Sequence, residues 1–269
     1  MTPPPHTSPQ LPVPPIPLTG ESITPLPKPH IVFGDKVTDE QLVQCAALFS
    51  ENYGIWGSSA PKPLKPGTRV KMQPKKLRAE CLSDDPGSSV ISMMYMDGRL
   101  VGQAFATKWS SPSSGTEKIG WITQLVVDAN ERRKHIATTL LRELTTCSWF
   151  AGVTVMGIAS THPAACHTLC NMLDQDISSI SLSYIQENAP KALQSSTVKY
   201  LRQAQLKGSL FETVDDGAIS LVDTTFYVDH GEPEEVLSSY VAENKWLVGI
   251  LREGHEFLLV LPTASSRST

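Results

Sequence analysis

The segment from residue 121 to residue 144 constrains the fold of this chain more than any other. It begins with an apolar run at 125–127, which is typical of a strand buried on both faces. Residues 128–130 favour a turn, and apolar residues then recur at helical spacing. A strand that leads into a helix through a basic turn directs free backbone N–H groups, and the positive end of the helix dipole, at one place. The segment therefore predicts an anion site that suits a diphosphate.

The turn between this strand and this helix reads Arg132-Arg133-Lys134-His135-Ile136-Ala137. It resembles the acetyl-CoA loop of the GNAT acetyltransferases, where Arg-x-x-Gly-x-Gly/Ala follows a strand ending in valine and precedes a Leu-Leu helix. The matching residues are Arg132, Ala137, Val127 and the pair Leu140-Leu141. His135 stands where the family has its first glycine, whose missing side chain lets backbone amides approach the phosphates closely.

The resemblance implies acetyl-CoA as co-substrate. In that family the pantetheine arm hydrogen-bonds along the first central strand, and the loop amides wrap the diphosphate. The cofactor-binding residues implied in this way are Leu125, Val126, Val127, Arg132, Arg133, Lys134, His135, Ile136, Ala137 and Thr138.

The N-terminal half of the chain agrees with this reading. Residues 31–33 predict a strand, and Thr38 with Gln41 forms a capping box that begins a helix. Two β-rich runs, 90–96 and 100–107, are joined through Asp-Gly, which is a strong hairpin signal.

After the anion site, residues 153–161 predict a buried strand parallel to 121–127, reached through a right-handed crossover. Helical pieces at about 175–212 exceed what the family needs and predict an insertion that covers the acceptor site. Residues 218–228 predict a strand, and 247–251 with 257–261 predict a closing hairpin. The resemblance to the GNAT family implies an α/β fold with a mixed, splayed central sheet flanked by helices, and we expect the helical insertion before the C-terminal strands.

The domain boundaries follow from composition. About half of the 21 prolines lie in residues 1–28, which predicts a disordered arm. Residues 29–262 form the predicted acetyltransferase domain, and residues 263–269 a disordered tail.

Composition also argues against several partners. A net charge of −4 opposes overall attraction to nucleic acid or to acidic membranes, so we expect neither as a partner. No apolar stretch approaches the length of a membrane span, and the N-terminus lacks a signal-peptide pattern. Five cysteines scattered through apolar segments indicate reduced thiols, and hence the cytosol or the nucleus. The oligomeric state stays open.

Acyl transfer to an amine needs a group that removes the ammonium proton. Many family members use a glutamate on the first central strand, where this chain has Thr123 and Gln124. His162 and Ala165 match the family's Asn-x-x-Ala-x-x-x-Tyr pattern, but the tyrosine position, often the acid, falls on Leu169. The predicted catalytic residues are Gln124 to orient substrate or water, His162 as acid, and His230 or Glu256 as base; His167 or a water is the alternative acid.

We predict an acetyl-CoA-dependent N-acetyltransferase that acts on an amine, with a small-molecule acceptor and direct transfer in a ternary complex. The oxyanion is expected on a backbone N–H of Val127 or a neighbour. His162, Cys166 and Cys170 have the spacing of a zinc-binding helix face, but no second cluster accompanies them, so no metal is expected. The alternatives are a coenzyme A-binding pseudoenzyme or sensor, favoured by His135 and the absent glutamate and tyrosine, and a protein-lysine acetyltransferase.

Overall fold

The computed structural model describes residues 25–111 and 115–264. The strands in these residues are β1 (His30–Phe33), β2 (Ser89–Met96), β3 (Arg99–Ser110), β4 (Lys118–Val127), β5 (Val153–Ser160), β6 (Gln205–Lys207), β7 (Leu221–Asp223) and β8 (His255–Pro262). The α-helices are α1 (Asp39–Asn52), α2 (Pro74–Cys81), α3 (Ile136–Thr146), α4 (Pro163–Met172), α5 (Leu182–Ser195), α6 (Lys199–Gln203) and α7 (Gly231–Ala242).

The strands form one sheet in the order β1-β2-β3-β4-β5-β8-β7-β6. Only β4 and β5 pair in parallel, and the other neighbours are antiparallel, so the prediction of a mixed sheet is confirmed. Helices cover both faces. One apolar cluster includes buried residues of α3, α4 and α5, and the other includes buried residues of α1 and α2. The fold is therefore the predicted α/β arrangement of a central sheet between two helical layers.

β4 and β5 separate part-way along their length. Their pairing ends at Ile122 and Ile158, although both strands continue beyond these residues. At the same place the register between β4 and β3 shifts, so Thr123 has no partner in β3. Such a bulge bends its strand and increases the local twist. The bulge thus gives a physical reason for the splay that was predicted between the two central strands.

Two local predictions depended on turn and cap chemistry, and both are confirmed. Thr38 accepts from the Gln41 N–H, and the Gln41 side chain accepts from the Thr38 N–H, which completes the capping box of α1. β2 and β3 are joined through Asp97 and Gly98, which have φ values of 50° and 77°. Positive φ at both central residues is the requirement of the tight turn that suits a twisted hairpin.

The predicted strand at 218–228 is mostly wrong, because only Leu221–Asp223 is a strand. The Asp223 carboxylate accepts from the Thr225 N–H, and Thr225 has a φ of 54°, so the chain turns there. Residues 227–229 then leave the sheet and hydrogen-bond to residues 55–57.

The predicted hairpin between 247–251 and 257–261 is also wrong. β8 lies between β5 and β7, so both of its edges are already paired. Residues 248–250 instead exchange hydrogen bonds with residues 217–220. The apolar run at 247–251 predicted a strand here, but the neighbouring edge was not available.

The arm and tail fall largely on residues 1–24 and 265–269, which lie outside the described residues. Just outside the predicted domain, at residues 26–28 and 263, the chain still packs against the fold. Leu26 packs against the core, and Lys28 forms an ion pair with Glu143 at 3.1 Å. Thr263 is buried, and it donates to the carbonyls of Val153 and Thr154, each at 2.9 Å. The folded unit thus extends slightly beyond both ends of the predicted domain.

No helix in the described part of the chain combines the length and the apolar character that crossing a bilayer requires. All five cysteines lie in described residues, and none of them forms a disulfide.

Candidate active site

The N-terminal end of α3 and the loop before it (residues 132–138) form a cradle of backbone donors. The first hydrogen bond of the helix runs from the Thr139 N–H to the His135 carbonyl at 2.9 Å. The N–H groups of Ile136, Ala137 and Thr138 therefore have no acceptor within the helix. Together with the helix dipole they form a site that favours an anion.

His135 occupies the position at which a glycine was expected. Its φ is 61°, in the left-handed region that glycine adopts most easily and that histidine adopts more often than most other residues do. Its side chain is exposed and does not cap the helix. The imidazole therefore leaves the N–H groups of the cradle unoccupied, although it replaces the glycine.

The basic side chains of the cradle differ in their pairing. Arg132 is paired with Glu232 of α7 and also donates to the Asn52 carbonyl at 2.7 Å. Lys134 pairs with Glu131 at 2.8 Å. Arg133 is exposed, and no described residue forms an ion pair with it. Of the three predicted cationic residues, only Arg133 is thus free to meet an anion without giving up a partner.

The end of β4 offers main-chain groups to the gap that separates it from β5. The Asp128 N–H donates to the Val101 carbonyl of the neighbouring β3 segment at 2.9 Å. Hydrogen-bonding direction alternates along an antiparallel pair, so the N–H groups of Gln124 and Val126 also point to β3. Those of Leu125 and Val127 point towards the gap. Of the predicted strand residues, Val126 thus has its side chain in the α1/α2 cluster and its N–H in the ladder.

A cavity of about 280 Å³ begins where the two strands part. Ile122–Leu125 and Ile158–Ser160 form its floor, and residues of α1, α2 and the intervening loop form one wall. The rest of the lining comes from the C-terminal half of the chain: Ala165, Tyr200, Thr224, Phe226 and Glu256. A wider surface depression of about 390 Å³ beside α2 shares no residue with β4 or β5. The cavity between the strand ends is therefore the one that a strand-bound ligand reaches.

Glu256 on β8 is the buried charge of this cavity. It is 7% exposed, and no described residue forms an ion pair with its carboxylate. Burial raises the pKa of Glu256 to about 7. The hydroxyl of Thr224 lies close enough to oppose this shift, without a hydrogen bond of good geometry. A carboxyl with such a pKa can exchange a proton near neutral pH.

Gln124 lies on the cavity floor and is held in one orientation. Its Oε1 accepts from Gln103 Nε2 at 2.6 Å, and the same Gln103 nitrogen donates to the Cys45 carbonyl at 3.2 Å. The Gln124 amide nitrogen lies 3.9 Å from the Cys81 sulfur. Because its oxygen is already engaged, Gln124 presents a donor to the cavity.

The two predicted catalytic histidines do not line the cavity. His162 Nδ1 accepts from the Ala164 N–H at 3.2 Å and so caps α4, while its Nε2 lies 3.8 Å from Glu232. His230 is buried before α7, and its Nε2 has no partner among the described residues. His167, the alternative acid, lies beside Tyr240 and Asn171. Helix capping and burial, rather than the cavity, fix the positions of these rings.

The predicted absence of a metal concerns His162, Cys166 and Cys170 of α4. Both cysteines are buried in the apolar cluster that α3 and α4 share. Within residues 25–111 and 115–264, no group of three His, Cys, Asp or Glu side chains is arranged to hold an ion.

Residues 51–167 match the model of the acetyltransferase (GNAT) family. They include the bulge of β4, the cradle and the splayed ends of both central strands. The chain contains a GNAT acetyltransferase domain. The predicted class, an acetyl-CoA-dependent N-acetyltransferase with acetyl-CoA as co-substrate, is therefore confirmed at the level of the family. None of the curated proteins is significantly similar to this sequence.

Several solved structures resemble the chain. One is the diaminobutyrate acetyltransferase EctA from Paenibacillus lautus, in complex with L-2,4-diaminobutyric acid and coenzyme A. It has 16% identity and a TM-score of 0.33, and the match covers 60% of this chain and 78% of that one. A GNAT-family acetyltransferase from Streptococcus pneumoniae has 11% identity and a TM-score of 0.37, and the match covers 52% of this chain and 81% of that one. An aminoglycoside acetyltransferase from an uncultured soil metagenomic sample, in complex with sisomicin, has 14% identity and a TM-score of 0.34. That match covers 49% of this chain and 76% of the other. Identities this low leave the acceptor of this chain open.

Sequence reasoning on the GNAT domain did not find the aromatic side chains of the cavity. Tyr53 follows the helix that the capping box at Thr38 predicted, and Tyr200 lies in the predicted helical insertion. Burial raises the pKa of both hydroxyls, and Glu256 adds to the effect. No local pattern marks these residues, because they meet only in the folded chain.

Proposed function

We propose that this protein transfers an acetyl group from acetyl-CoA directly to the amine of a small molecule, with Glu256 as the general base. The observation that carries the proposal is the buried carboxylate in a cavity at the strand opening of a GNAT domain. A buried carboxylate without an ion-pair partner is costly to the fold and is typical of functional sites.

The cofactor site supports the proposal in three respects. The N–H groups of Ile136, Ala137 and Thr138 are free for the diphosphate, and Arg133 adds a free positive charge. The main-chain groups of Leu125 and Val127 face the gap and suit the amides of a pantetheine arm. Bound there, acetyl-CoA supplies an activated acetyl group at the cavity floor.

Glu256 accepts one proton from the ammonium group of the acceptor, which leaves the nitrogen lone pair free to attack. The nitrogen–carbon bond then forms, the carbon–sulfur bond breaks, and the amide nitrogen loses its second proton. The N–H of Leu125, which lines the cavity, is better placed than that of Val127 to hold the developing negative charge on the acetyl oxygen.

Tyr200 takes the place of the tyrosine that the family often has at the position of Leu169. Leu169 is completely buried in the core and cannot transfer protons. Tyr200 lines the cavity, and its raised pKa keeps its hydroxyl protonated at neutral pH. It therefore gives its proton to the leaving sulfur and recovers one from the amide nitrogen, so that the proton taken up by Glu256 is the one released to solvent.

The test measures acetyl transfer from acetyl-CoA to a panel of small amines and lysine peptides, as kcat/KM against pH. We expect kcat/KM for a small amine to rise through pH 7 as Glu256 ionises. Glu256→Gln should lower kcat by about a hundredfold or more, while Kd for coenzyme A stays unchanged. Glu253→Gln, an exposed carboxylate three residues away, is the matched control.

Three results would contradict the proposal. Coenzyme A binding without turnover of any amine would favour the sensor. Turnover confined to lysine peptides would favour a protein acetyltransferase. Full activity of Glu256→Gln would exclude the proposed base.

A further inference from the structure

Four aromatic side chains form a connected wall on the α1 side of the cavity. Phe49 and Tyr53 stack with their ring centroids 4.2 Å apart. Tyr53 lies 5.8 Å from Phe226, and Phe226 meets Trp56 edge-on at 5.4 Å. All four rings line the cavity. Aromatic faces attract cations and also pack against apolar or aromatic groups.

The charges of the lining are unevenly placed. Glu256 is buried, whereas Lys71, Lys76 and Glu80 are exposed at the rim, where Lys76 and Glu80 pair at 3.6 Å. The deep part of the cavity therefore holds one carboxylate. A ligand with several ammonium groups would meet that buried carboxylate only once, and its other charges would reach the rim, where Lys76 already pairs with Glu80 and Lys71 repels them.

The volume of the cavity limits the size of the ligand. About 280 Å³ must accommodate the acceptor together with the acetyl end of the cofactor, because Leu125 and Ser160 belong to the same lining. This is at the low end for small-molecule sites. It leaves room for a body about as large as one ring.

We propose that the acceptor is a small primary monoamine with an aromatic or compact apolar body, whose ammonium lies against Glu256 and whose body packs on the ring wall. This inference rests on the proposed function, since it names the substrate class of the same site. It excludes polyamines and polycationic sugars as preferred acceptors, because one buried carboxylate leaves their further charges unpaired.

The test compares four ligands on the wild-type protein. Phenethylamine has the expected form, putrescine carries a second ammonium, phenethyl alcohol lacks the charge, and cyclohexylethylamine lacks the aromatic ring. Binding is measured by calorimetry in the presence of coenzyme A, which cannot react, and kcat/KM is measured with acetyl-CoA. We expect phenethylamine to exceed putrescine in kcat/KM by about tenfold or more, and phenethyl alcohol to bind at least about tenfold more weakly.

Phe226→Leu provides the matched variant, because it keeps apolar volume and removes the ring at the centre of the wall. It should raise KM for phenethylamine severalfold, and it should change the values for putrescine and the Kd of coenzyme A less than about twofold. Phe150→Leu, a half-buried ring outside the cavity, should change none of them. Should Phe226→Leu fail to fold, the ligand series on the wild type still decides.

The outcomes distinguish this inference from the proposed function. A preference for putrescine, or equal binding of phenethylamine and phenethyl alcohol, overturns the inference. Tight binding of phenethylamine without acetylation upholds the inferred ligand class and refutes the proposed reaction. If no amine binds at all, the inference is overturned.

Discussion

Replacing Glu256 by glutamine is the most informative perturbation, because it should remove activity and yet stabilise the fold. In the folded protein the pKa of Glu256 is about 7, against 4.5 for an unperturbed glutamate, and burial is the cause. A carboxyl whose pKa is raised by folding binds its proton more tightly in the folded state than in the unfolded state. The associated stability is complete below pH 4.5 and is lost as the pH rises through about 7.

The magnitude follows from the two pKa values. They differ by roughly 2.5 pH units, and each unit corresponds to about 1.4 kcal/mol, so ionised Glu256 costs the fold roughly 3 kcal/mol. Glutamine has nearly the same shape and no charge. Glu256→Gln should therefore be more stable than the wild type by roughly 3 kcal/mol at pH 8, or about 6 to 12 °C in Tm. At pH 4.5 or below the difference should nearly vanish.

Thermal unfolding of the wild type, Glu256→Gln and Glu253→Gln at a low and a high pH measures this directly, without any ligand. Glu253→Gln removes an exposed carboxylate from the same segment and should give no pH-dependent difference. An equal Tm difference at both pH values would show that packing, not ionisation, separates the variants. A less stable Glu256→Gln at pH 8 would refute the desolvation argument.

Three further predictions concern the cradle. Glu232→Gln removes the partner of Arg132, so calorimetry should show coenzyme A binding severalfold more tightly. Glu235→Gln, at an exposed residue of the same helix, is the control, and weaker binding by Glu232→Gln would contradict the prediction. Gly102→Ala places a Cβ 2.7 Å from an α3 side chain, so chemical denaturation should show a loss of about 1 to 3 kcal/mol; Gly115→Ala, which meets nothing within 4 Å, should show none. His135→Gly should unfold at a higher temperature than His135→Ala, because the residue has a φ of 61°; equal Tm values would contradict the strain.

The parts of the fold that could be predicted from the sequence are those set by nearby residues. The capping box at Thr38, the Asp97-Gly98 turn and the apolar run that ends at Val127 depend on short-range chemistry, and each is found as predicted. The predictions at 218–228 and 247–251 failed because they depend on which strand edges remain free. Whether a strand edge is free depends on the whole sheet, so the residues of one segment do not determine it.

The candidate site divides in the same way. The cradle was predicted because its donors belong to consecutive residues of one loop. The partner of Arg132 was not predicted, since Glu232 lies 100 residues away. Gln124 and Glu256 were among the predicted catalytic residues and lie on one cavity, whereas His162 and His230 do not. The cytosolic or nuclear location remains a prediction.

The unpaired end of β4 has a consequence for how such a chain can change over time. The groups that Leu125 and Val127 direct into the gap belong to the peptide backbone, and every amino acid except proline carries both a donor and an acceptor there. Substitution can therefore change the side chains along this edge without removing the main-chain groups that it offers to a ligand. A chain that keeps the bend at Thr123 keeps these main-chain donors and acceptors in place. Related sequences can therefore diverge almost completely and still offer the same groups to a thioester ligand.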